Sequence, residues 1–213
     1  FYQIKPHFLY NTLASIRMYA MKQGCGEIVD MLGTLNRLLR NTINIRDHFI
    51  TLEEELQNLK DYIKIYSVRY NGRIRFSLCI PAELMACRIP NMILQPIVEN
   101  AIEHGVSGNI AGGLPAGIDI RASRQGERLL LQVRDNGAGM TDMELAAVMR
   151  PPSEPEKDGH IGLHNIDSRL KSLYGGGYGV QVESVKGEYT CVTLTVQLRD
   201  RTAEGGGTGC RDF

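Results

Sequence analysis

The feature that most constrains this chain is an apolar stretch at residues 90–105 whose polar residues gather near one end. Three apolar residues recur every four positions and predict one buried helix face: Ile93, Ile97 and Ala101. Three polar residues fall within about one turn near the C-terminal end: Asn100, Glu103 and His104. Gly105 is predicted to end the helix. Alone, this pattern is as typical of a buried helix with a polar end as of a functional site.

Two glycine-containing motifs follow later in the chain. Residues 135–140 read DNGAGM and come directly after a predicted apolar strand, and residues 159–165 read GHIGLHN and lead into a predicted helix. Together with residues 90–105, and in this order, they resemble the N, G1 and G2 boxes of GHKL nucleotide-binding domains. The resemblance covers about residues 73–198, and the ordered set is far more specific than any single box.

The opening of the chain carries a second resemblance. Residues 3–13 read QIKPHFLYNTL and are similar to the phosphoacceptor box of LytS/YesM-type sensor histidine kinases. Taken alone, a histidine at a helix end is as often a helix cap or a surface residue as a phosphoacceptor. The resemblance implies that His7 accepts a phosphoryl group. Helix geometry places Asn11 one turn along the same outward face, and Glu99, next to Asn100, is a further candidate catalytic residue if the helix end turns it inward.

The resemblance also implies the ligands and the residues that hold them. Asn100 would bind the Mg²⁺ that bridges the phosphates of ATP, since a neutral oxygen suits a hard cation that keeps several waters. Asp135 would accept a hydrogen bond from the adenine amine. The other expected nucleotide-binding residues are His104, Gly137, Gly139, Gly159, Ile161, Gly162 and Leu163. His160 stands where many relatives carry glycine, and Arg169 is expected to have a structural role rather than to bind phosphate.

Composition sets limits on these functions. The chain has 213 residues and is 43% hydrophobic, which is enough for a substantial core. Lys plus Arg and Asp plus Glu both total 24, so no overall field favours nucleic acid or an anionic membrane. The five cysteines include no CxxC pair, and this odd set predicts reduced thiols rather than a disulfide framework.

Two apolar seams predict a helical hairpin at the start of the chain. One runs through Leu9, Leu13, Ile16 and Ala20, and the other through Ile28, Leu32, Leu35, Leu39 and Thr42. Two helices leave much of each seam in water, so a homodimer forming a four-helix bundle is expected. The alternative is that the seams rest on the chain's own nucleotide-binding domain.

The remaining patterns predict an α+β chain, with this hairpin followed by a GHKL (Bergerat) α/β sandwich. Capping boxes at Thr51 and Thr141 start two helices, and alternating strands begin near residue 74 and flank a turn at 125–127. Residues 106–117 are predicted to be a loop and 150–158 a mobile lid. The expected regions are 1–70 for the helical phosphoacceptor part, 71–199 for the ATP-binding domain and 200–213 for a disordered tail.

Three functions compete on these residues. The first is ATP-dependent phosphorylation of His7, followed by transfer to an aspartate of a response-regulator receiver domain. The second is a GHKL ATPase, but those relatives carry a catalytic Glu one turn before the metal-binding Asn, where this chain has Pro96. The third is a catalytically silent dimerisation module, since Phe8 stands where other histidine kinases have an acidic residue. A serine kinase would not need a histidine-bearing hairpin, and the kinase acting on His7 is favoured.

No run of about 18 apolar residues occurs in the sequence. The chain starts at Phe1, six residues before His7, which indicates a piece of a longer protein. The resemblance implies that a preceding part carries transmembrane and sensing segments. This chain is then expected to be the cytoplasmic portion of a bacterial inner-membrane protein.

Overall fold

The computed structural model describes residues 6–43, 48–150, 162–198 and 210–212. All but the first residue of the predicted lid, and most of the tail, lie outside these residues. Within them, no helix is both long and apolar enough to cross a membrane.

The first two helices form the predicted hairpin. Helix α1 spans Pro6–Lys22 and α2 spans Gly26–Ile43, joined at Gly24, which has a φ of 68°. Ala20 and Thr34 are buried, but several large apolar side chains of the hairpin remain exposed: Ile16, Met18, Tyr19, Met21 and Ile28. The hairpin therefore leaves an apolar surface uncovered within one chain.

Helix α3 connects the hairpin to the sheet. It spans Leu52–Arg69, and Thr51 and Glu54 form the predicted capping box at its start. An Arg37–Asp61 ion pair, with a shortest N–O distance of 2.8 Å, fastens α2 to α3. Strand β1 (Phe49–Thr51) precedes α3 and pairs antiparallel with β3 (Arg88–Pro90), a small sheet that the sequence patterns did not predict.

A six-stranded mixed sheet forms the second layer. Its spatial order is β6-β7-β5-β4-β2-β8, with β2 parallel to β4 and the other pairs antiparallel. The strands are β2 (Ile74–Cys79), β4 (Ala116–Gln125), β5 (Arg128–Asp135), β6 (Gly179–Val185), β7 (Tyr189–Gln197) and β8 (Cys210–Asp212). The predicted hairpin around residues 125–127 is confirmed, with longer strands than the alternation alone indicated.

Helices cover the sheet and bury the core between the layers. They are α4 (Gln95–Asn100), a π-helical turn (Ala101–Val106), α5 (Ser107–Ala111), α6 (Asp142–Val148) and α7 (Leu163–Tyr174), with a short 3-10 helix at Ala82–Leu84. Ile97, Ile102 and Leu170 belong to the same hydrophobic cluster as the inward-facing residues of β4 and β5. Leu52, Leu56 and Leu59 of α3 join it too. The predicted α+β class is confirmed.

Two local predictions are wrong. Gly105 does not end the central helix, because the chain widens into the π-helical turn and then continues as α5. Residues 107–111, predicted to be loop, are therefore helical. Glycines at 108, 112 and 113 gave the loop signal, but Ile110 is buried and anchors the short helix.

The thiol prediction is wrong for Cys79, which is disulfide-bonded, whereas Cys25, Cys87 and Cys191 are free. Strand β8 lies in the tail that was expected to be disordered, and it pairs with β2 so that Cys210 stands opposite Cys79. Cysteine spacing could not reveal this strand register, since 130 residues separate the two positions in the chain.

Candidate nucleotide-binding site

Asp135 lies at the end of β5 and is almost completely buried, with 4% of its surface exposed. Its Oδ1 accepts a hydrogen bond from the backbone N–H of Gly137 at 2.9 Å. Burial raises the pKa of Asp135 to about 6, and hydrogen bonds from the backbone of Gly137 and Thr190 oppose that rise. A buried carboxylate that titrates near neutral pH is a feature of functional sites rather than of ordinary turns.

Two glycines allow the loop after β5 to touch the central helix. A Cβ on Gly105 would lie 2.6 Å from Oδ1 of Asp135, and a Cβ on Gly137 would lie 2.1 Å from the carbonyl carbon of Gly105. The backbone N–H of Ala138 donates to the carbonyl of Gly105 at 3.0 Å. Glycine is therefore required at both positions for this approach, and the contact joins the first and second motifs.

Gly139 is constrained by the other side of the same loop. Its φ is 56°, and a Cβ there would lie 2.0 Å from the carbonyl oxygen of Val185. The N–H of Gly187 donates to the carbonyl of Ala138 at 2.7 Å, and the N–H of Met140 donates to Oγ of Ser184 at 2.8 Å. The turn between β6 and β7 thus holds the loop in place.

The polar residues of the central helix differ in exposure. Asn100 is the last residue of α4 and, like Glu99, is half-buried. Glu103 accepts a hydrogen bond from the Tyr66 hydroxyl of α3 at 3.3 Å, whereas His104 is exposed. The π-helical turn that starts after Asn100 carries the helix to Gly105 beside Asp135. Such turns occur often at functional sites, and the 3.6-residue pattern gave no sign of this one.

Helix α7 carries the described part of the third motif. Gly162 precedes its first turn in an extended conformation, and Leu163 is buried in the core. Gly159 and Ile161 lie outside the described residues. Arg169 donates from Nη1 to the backbone carbonyl of Asn91 at 2.8 Å, which agrees with the structural role expected for it.

The expected phosphoacceptor region lies on the hairpin. His7 is the second residue of α1, and its side chain lies outside the described residues. Asn11 is exposed on the same helix, and its carbonyl accepts a hydrogen bond from the Ser15 hydroxyl at 2.9 Å. The structure thus gathers Asp135, Gly137 and Gly105 in one place, while His7 and Asn11 belong to a separate helix.

Glu55 of α3 is a buried polar residue that the sequence motifs did not predict. Its side chain is 2% exposed, and it accepts hydrogen bonds from backbone N–H groups in the segment that leads into α4. The capping box predicted at Thr51 does not include residue 55. A signal was present, because residue 55 falls on the apolar stripe formed by Leu52, Leu56 and Leu59, where a carboxylate must be buried.

Comparison with known proteins agrees with this arrangement. Residues 2–74 match the family model described as "Histidine kinase". Residues 88–200 match the model described as "Histidine kinase-, DNA gyrase B-, and HSP90-like ATPase".

Several curated sensor kinases are similar to the chain. Sensor histidine kinase YesM of Bacillus subtilis is 34% identical over 198 residues, covering 93% of this chain and 32% of that protein. Sensor histidine kinase BtsS of Escherichia coli is 31% identical over the same shares of the two chains. The chain therefore spans about a third of the length of these relatives.

Among solved structures, a nucleotide-free catalytic domain of the histidine kinase ThkA superposes with a TM-score of 0.52 at 13% identity, covering 70% of this chain and 94% of that one. This likeness shows the fold. The family resemblance inferred from the motifs is confirmed by the two matching models and by the sensor kinases. The chain belongs to the histidine kinase-, DNA gyrase B- and HSP90-like ATPase family.

Proposed function

We propose that the chain is the kinase portion of a two-component sensor histidine kinase, which uses ATP to phosphorylate His7 and then passes the phosphoryl group to a response-regulator aspartate. The observation that carries the proposal is the buried carboxylate of Asp135 beside Gly105 and Gly137. Relatives named as sensor histidine kinases support it.

The residues present fit an adenine nucleotide. Without side chains at positions 105 and 137, the two backbones approach each other closely beside the buried carboxylate. The ionised carboxylate accepts hydrogen bonds and does not donate them, so it would select the exocyclic amine of adenine over the carbonyl of guanine. His104, Gly139, Gly162 and Leu163 would complete the described part of the site. Gly159 and Ile161 are proposed to belong to it as well.

Asn100 is proposed to hold Mg²⁺. Its amide oxygen is a neutral donor of the kind that hard cations accept, and it lies five residues before Gly105 on a continuous helical segment. Among the described residues, no group of three acidic, His or Cys side chains is arranged to hold a metal. Phosphate and water oxygens would supply the remaining ligands, and the bound ion would neutralise charge on the phosphates.

The reaction would consist mostly of positioning. The imidazole nitrogen of His7 would form a bond to the γ-phosphorus while the bond to the departing ADP oxygen breaks. Glu99 and Asn11 are proposed to assist, Glu99 from the helix that carries Asn100 and Asn11 from the helix that carries His7. Because hairpin and nucleotide site occupy different parts of the chain, the hairpin must bring His7 to the phosphate.

The ATPase alternative is disfavoured by Pro96. This residue is buried in the first turn of α4, at the place where ATPases of this superfamily carry a catalytic glutamate. Proline has no group that can activate water. We therefore expect hydrolysis without a phosphorylated protein to be slow.

The proposed partners are a second copy of the chain and a receiver domain. The exposed apolar side chains of the hairpin, including Ile16 and Ile28, would be covered in a four-helix bundle. The longer protein is proposed to sit in a bacterial inner membrane, with this portion in the cytoplasm.

Incubation with γ-labelled ATP and Mg²⁺ tests the function. The wild-type chain should acquire label that resists alkali and is lost in acid, as a phosphoramidate is. His7→Gln should bind ATP normally and acquire no label, whereas the control His48→Gln should label like wild type. Label that persists in His7→Gln, or that survives acid, would contradict the assignment of His7.

A further inference from the structure

Glu55 reaches out of its own helix to the segment before α4. It lies in the first turn of α3, but Thr51 and Glu54 already form the capping box of that helix, so Glu55 is not needed as its cap. Its Oε2 accepts from the N–H of Met92 at 3.0 Å, and its Oε1 accepts from the N–H groups of Ile93 and Leu94, both at 2.9 Å. The carboxylate thus satisfies three N–H groups of the segment immediately before α4, up to and including Leu94 at the N-cap position.

A carboxylate is the side chain that suits this place. Ile93 and Leu94 are fully buried, so their N–H groups have no access to water and need acceptors from the protein. An ionised carboxylate offers two oxygens that only accept, and here they satisfy three donors. A glutamine would have nearly the same shape but would turn an NH₂ group toward at least one of those donors.

The same segment is held from two other directions. Arg169 of α7 donates to the carbonyl of Asn91 at 2.8 Å, and the N–H of Asn91 donates to the carbonyl of His48 at 3.1 Å. Met92, between these attachments, has a φ of 58°, a left-handed conformation that a non-glycine residue seldom adopts. Residues 91–94, which we call the entry segment, therefore depend on neighbouring elements for their conformation.

The entry segment passes directly into the helix that carries the proposed metal ligand. Helix α4 begins at Gln95 and ends at Asn100, and Ile97 and Val98 within it are fully buried. A short helix so enclosed moves as a unit with the segment that leads into it. On the other side, α3 is fastened to α2 by the Arg37–Asp61 ion pair. Glu55 is thus a polar connection between α3 and the segment that leads into the helix of Asn100.

We propose that Glu55 is a positioning residue for the nucleotide site, setting the place of Asn100 through the entry segment, with Arg169 acting on the same segment from α7. The inference rests on the proposed function, because it assumes that Asn100 contributes to Mg²⁺–ATP binding. Asp135 lies on β5 and is held by Gly137 and Thr190, independently of the entry segment. Loss of Glu55 should therefore affect phosphate and metal binding more than recognition of the base.

Calorimetry on the 213-residue chain separates the two effects. Adenosine without metal reports on the base site, and Mg²⁺–ATP reports on base and phosphates together. For Glu55→Gln we expect Mg²⁺–ATP affinity to fall about tenfold, which is the effect of one disturbed charge-assisted contact. Adenosine affinity should change less than about twofold. Glu53→Gln removes the same charge from an exposed position in the same helical turn and should change neither affinity.

A second variant guards against failure of Glu55→Gln to fold. Arg169→Gln removes the attachment on the opposite side of the entry segment and should show the same selective loss, about threefold to tenfold for Mg²⁺–ATP. Both variants are measured at a temperature where the unfolding curve shows them folded. Equal losses for adenosine and Mg²⁺–ATP, or affinities matching those of Glu53→Gln, would overturn the inference. A wild-type chain that binds neither ligand would instead refute the proposed function.

Discussion

The nucleotide-binding region and the helical hairpin differ in how they bury their apolar surface. In the former, β4 and β5 alternate buried and exposed residues, and α4, α7 and α3 cover the buried face to form one continuous core, although Leu114 and Met143 remain exposed outside it. In the hairpin, Ile16, Met18 and Tyr19 remain exposed although they are large and apolar. The difference indicates that the first region specifies its own fold, whereas the hairpin needs further surface to complete its packing.

This contrast also agrees with the roles proposed for the two regions, nucleotide binding for one and phosphoryl acceptance for the other. A site that reads adenine needs fixed geometry, and a 2.9 Å hydrogen bond from the backbone N–H of Gly137 holds the Asp135 carboxylate. A phosphoacceptor helix must approach and leave the nucleotide, and α1 packs only on α2 among the principal helix contacts of the described residues. Low packing around α1 permits that movement.

The largest effect is expected from charges placed in the hairpin seam. Replacing both Leu32 and Leu35 by Glu should abolish the proposed dimer, because two carboxylates per copy would enter the bundle core at a cost of several kcal/mol. Adenosine affinity should remain that of wild type, since both residues lie on α2. Sedimentation and calorimetry measure the two outcomes.

The matched control for that double variant is Gln23→Glu, which adds charge at an exposed position of the hairpin and should leave the dimer intact. A wild-type chain that stays monomeric at high concentration would rule out the proposed four-helix bundle. Loss of adenosine binding in the Leu32 and Leu35 variant would show that the two regions are not independent.

A smaller effect is expected when the contact between the loop after β5 and the central helix is overpacked. Gly137→Ala would put a methyl group 2.1 Å from the backbone of Gly105, and we expect the free energy of unfolding to fall by about 1–3 kcal/mol. Gly108→Ala is the control, because a Cβ there meets nothing within 4 Å and the residue is helical. It should stabilise by about 0.5–1 kcal/mol. Equal stability of the two variants in chemical denaturation would contradict the close approach.

The smallest effect is expected at the junction of the two regions. Arg37 and Asp61 form a two-pronged ion pair at 2.8 and 3.0 Å, but the arginine side chain is 60% exposed. A double-mutant cycle with Arg37→Ala and Asp61→Ala should therefore give a coupling of roughly 0.5–1 kcal/mol. A coupling of zero would mean that α2 and α3 are joined by apolar packing alone.

Much of the fold could be predicted from local patterns. The capping boxes at Thr51 and Thr141 marked two helix starts, and alternation marked β4 and β5, because each signal depends on neighbours in the chain. The π-helical turn, β3 and β8 could not be predicted in this way. They depend on contacts between residues far apart in sequence, as with Cys79 opposite position 210.

In the candidate site too, residues in local motifs could be predicted and residues that depend on distant contacts could not. The motifs identified Asp135, Gly137 and Gly139, and the structure supplies the reason for each glycine as a close approach to another backbone. The sequence predicts Gly105 as a helix end, whereas in the structure its lack of a side chain makes room for the carboxylate of Asp135. Glu55 was missed, since its partners lie 37 to 39 residues away.

If the ionised carboxylate of Asp135 reads adenine, its raised pKa makes adenosine binding depend on pH. Adenosine is the probe, because it has no phosphate to titrate near neutral pH. Affinity of the wild-type chain should be constant above pH 7 and should fall as pH drops through about 6, approaching tenfold per pH unit below that value. Asp135→Asn should bind about one to two decades more weakly at pH 8, with little dependence on pH.

Stability measurements on the same variant test whether the fold is retained. The folded pKa of Asp135 is raised above its usual 3.8, so this carboxyl contributes stability below pH 4 that is lost as pH rises through about 6. Asp135→Asn lacks that loss and should be at least as stable as wild type at pH 8. We predict that wild-type adenosine affinity falls below pH 6 and that the folded Asn variant binds weakly at every pH. Affinity that is independent of pH in the wild type, or equal in the two proteins at pH 8, would contradict the account.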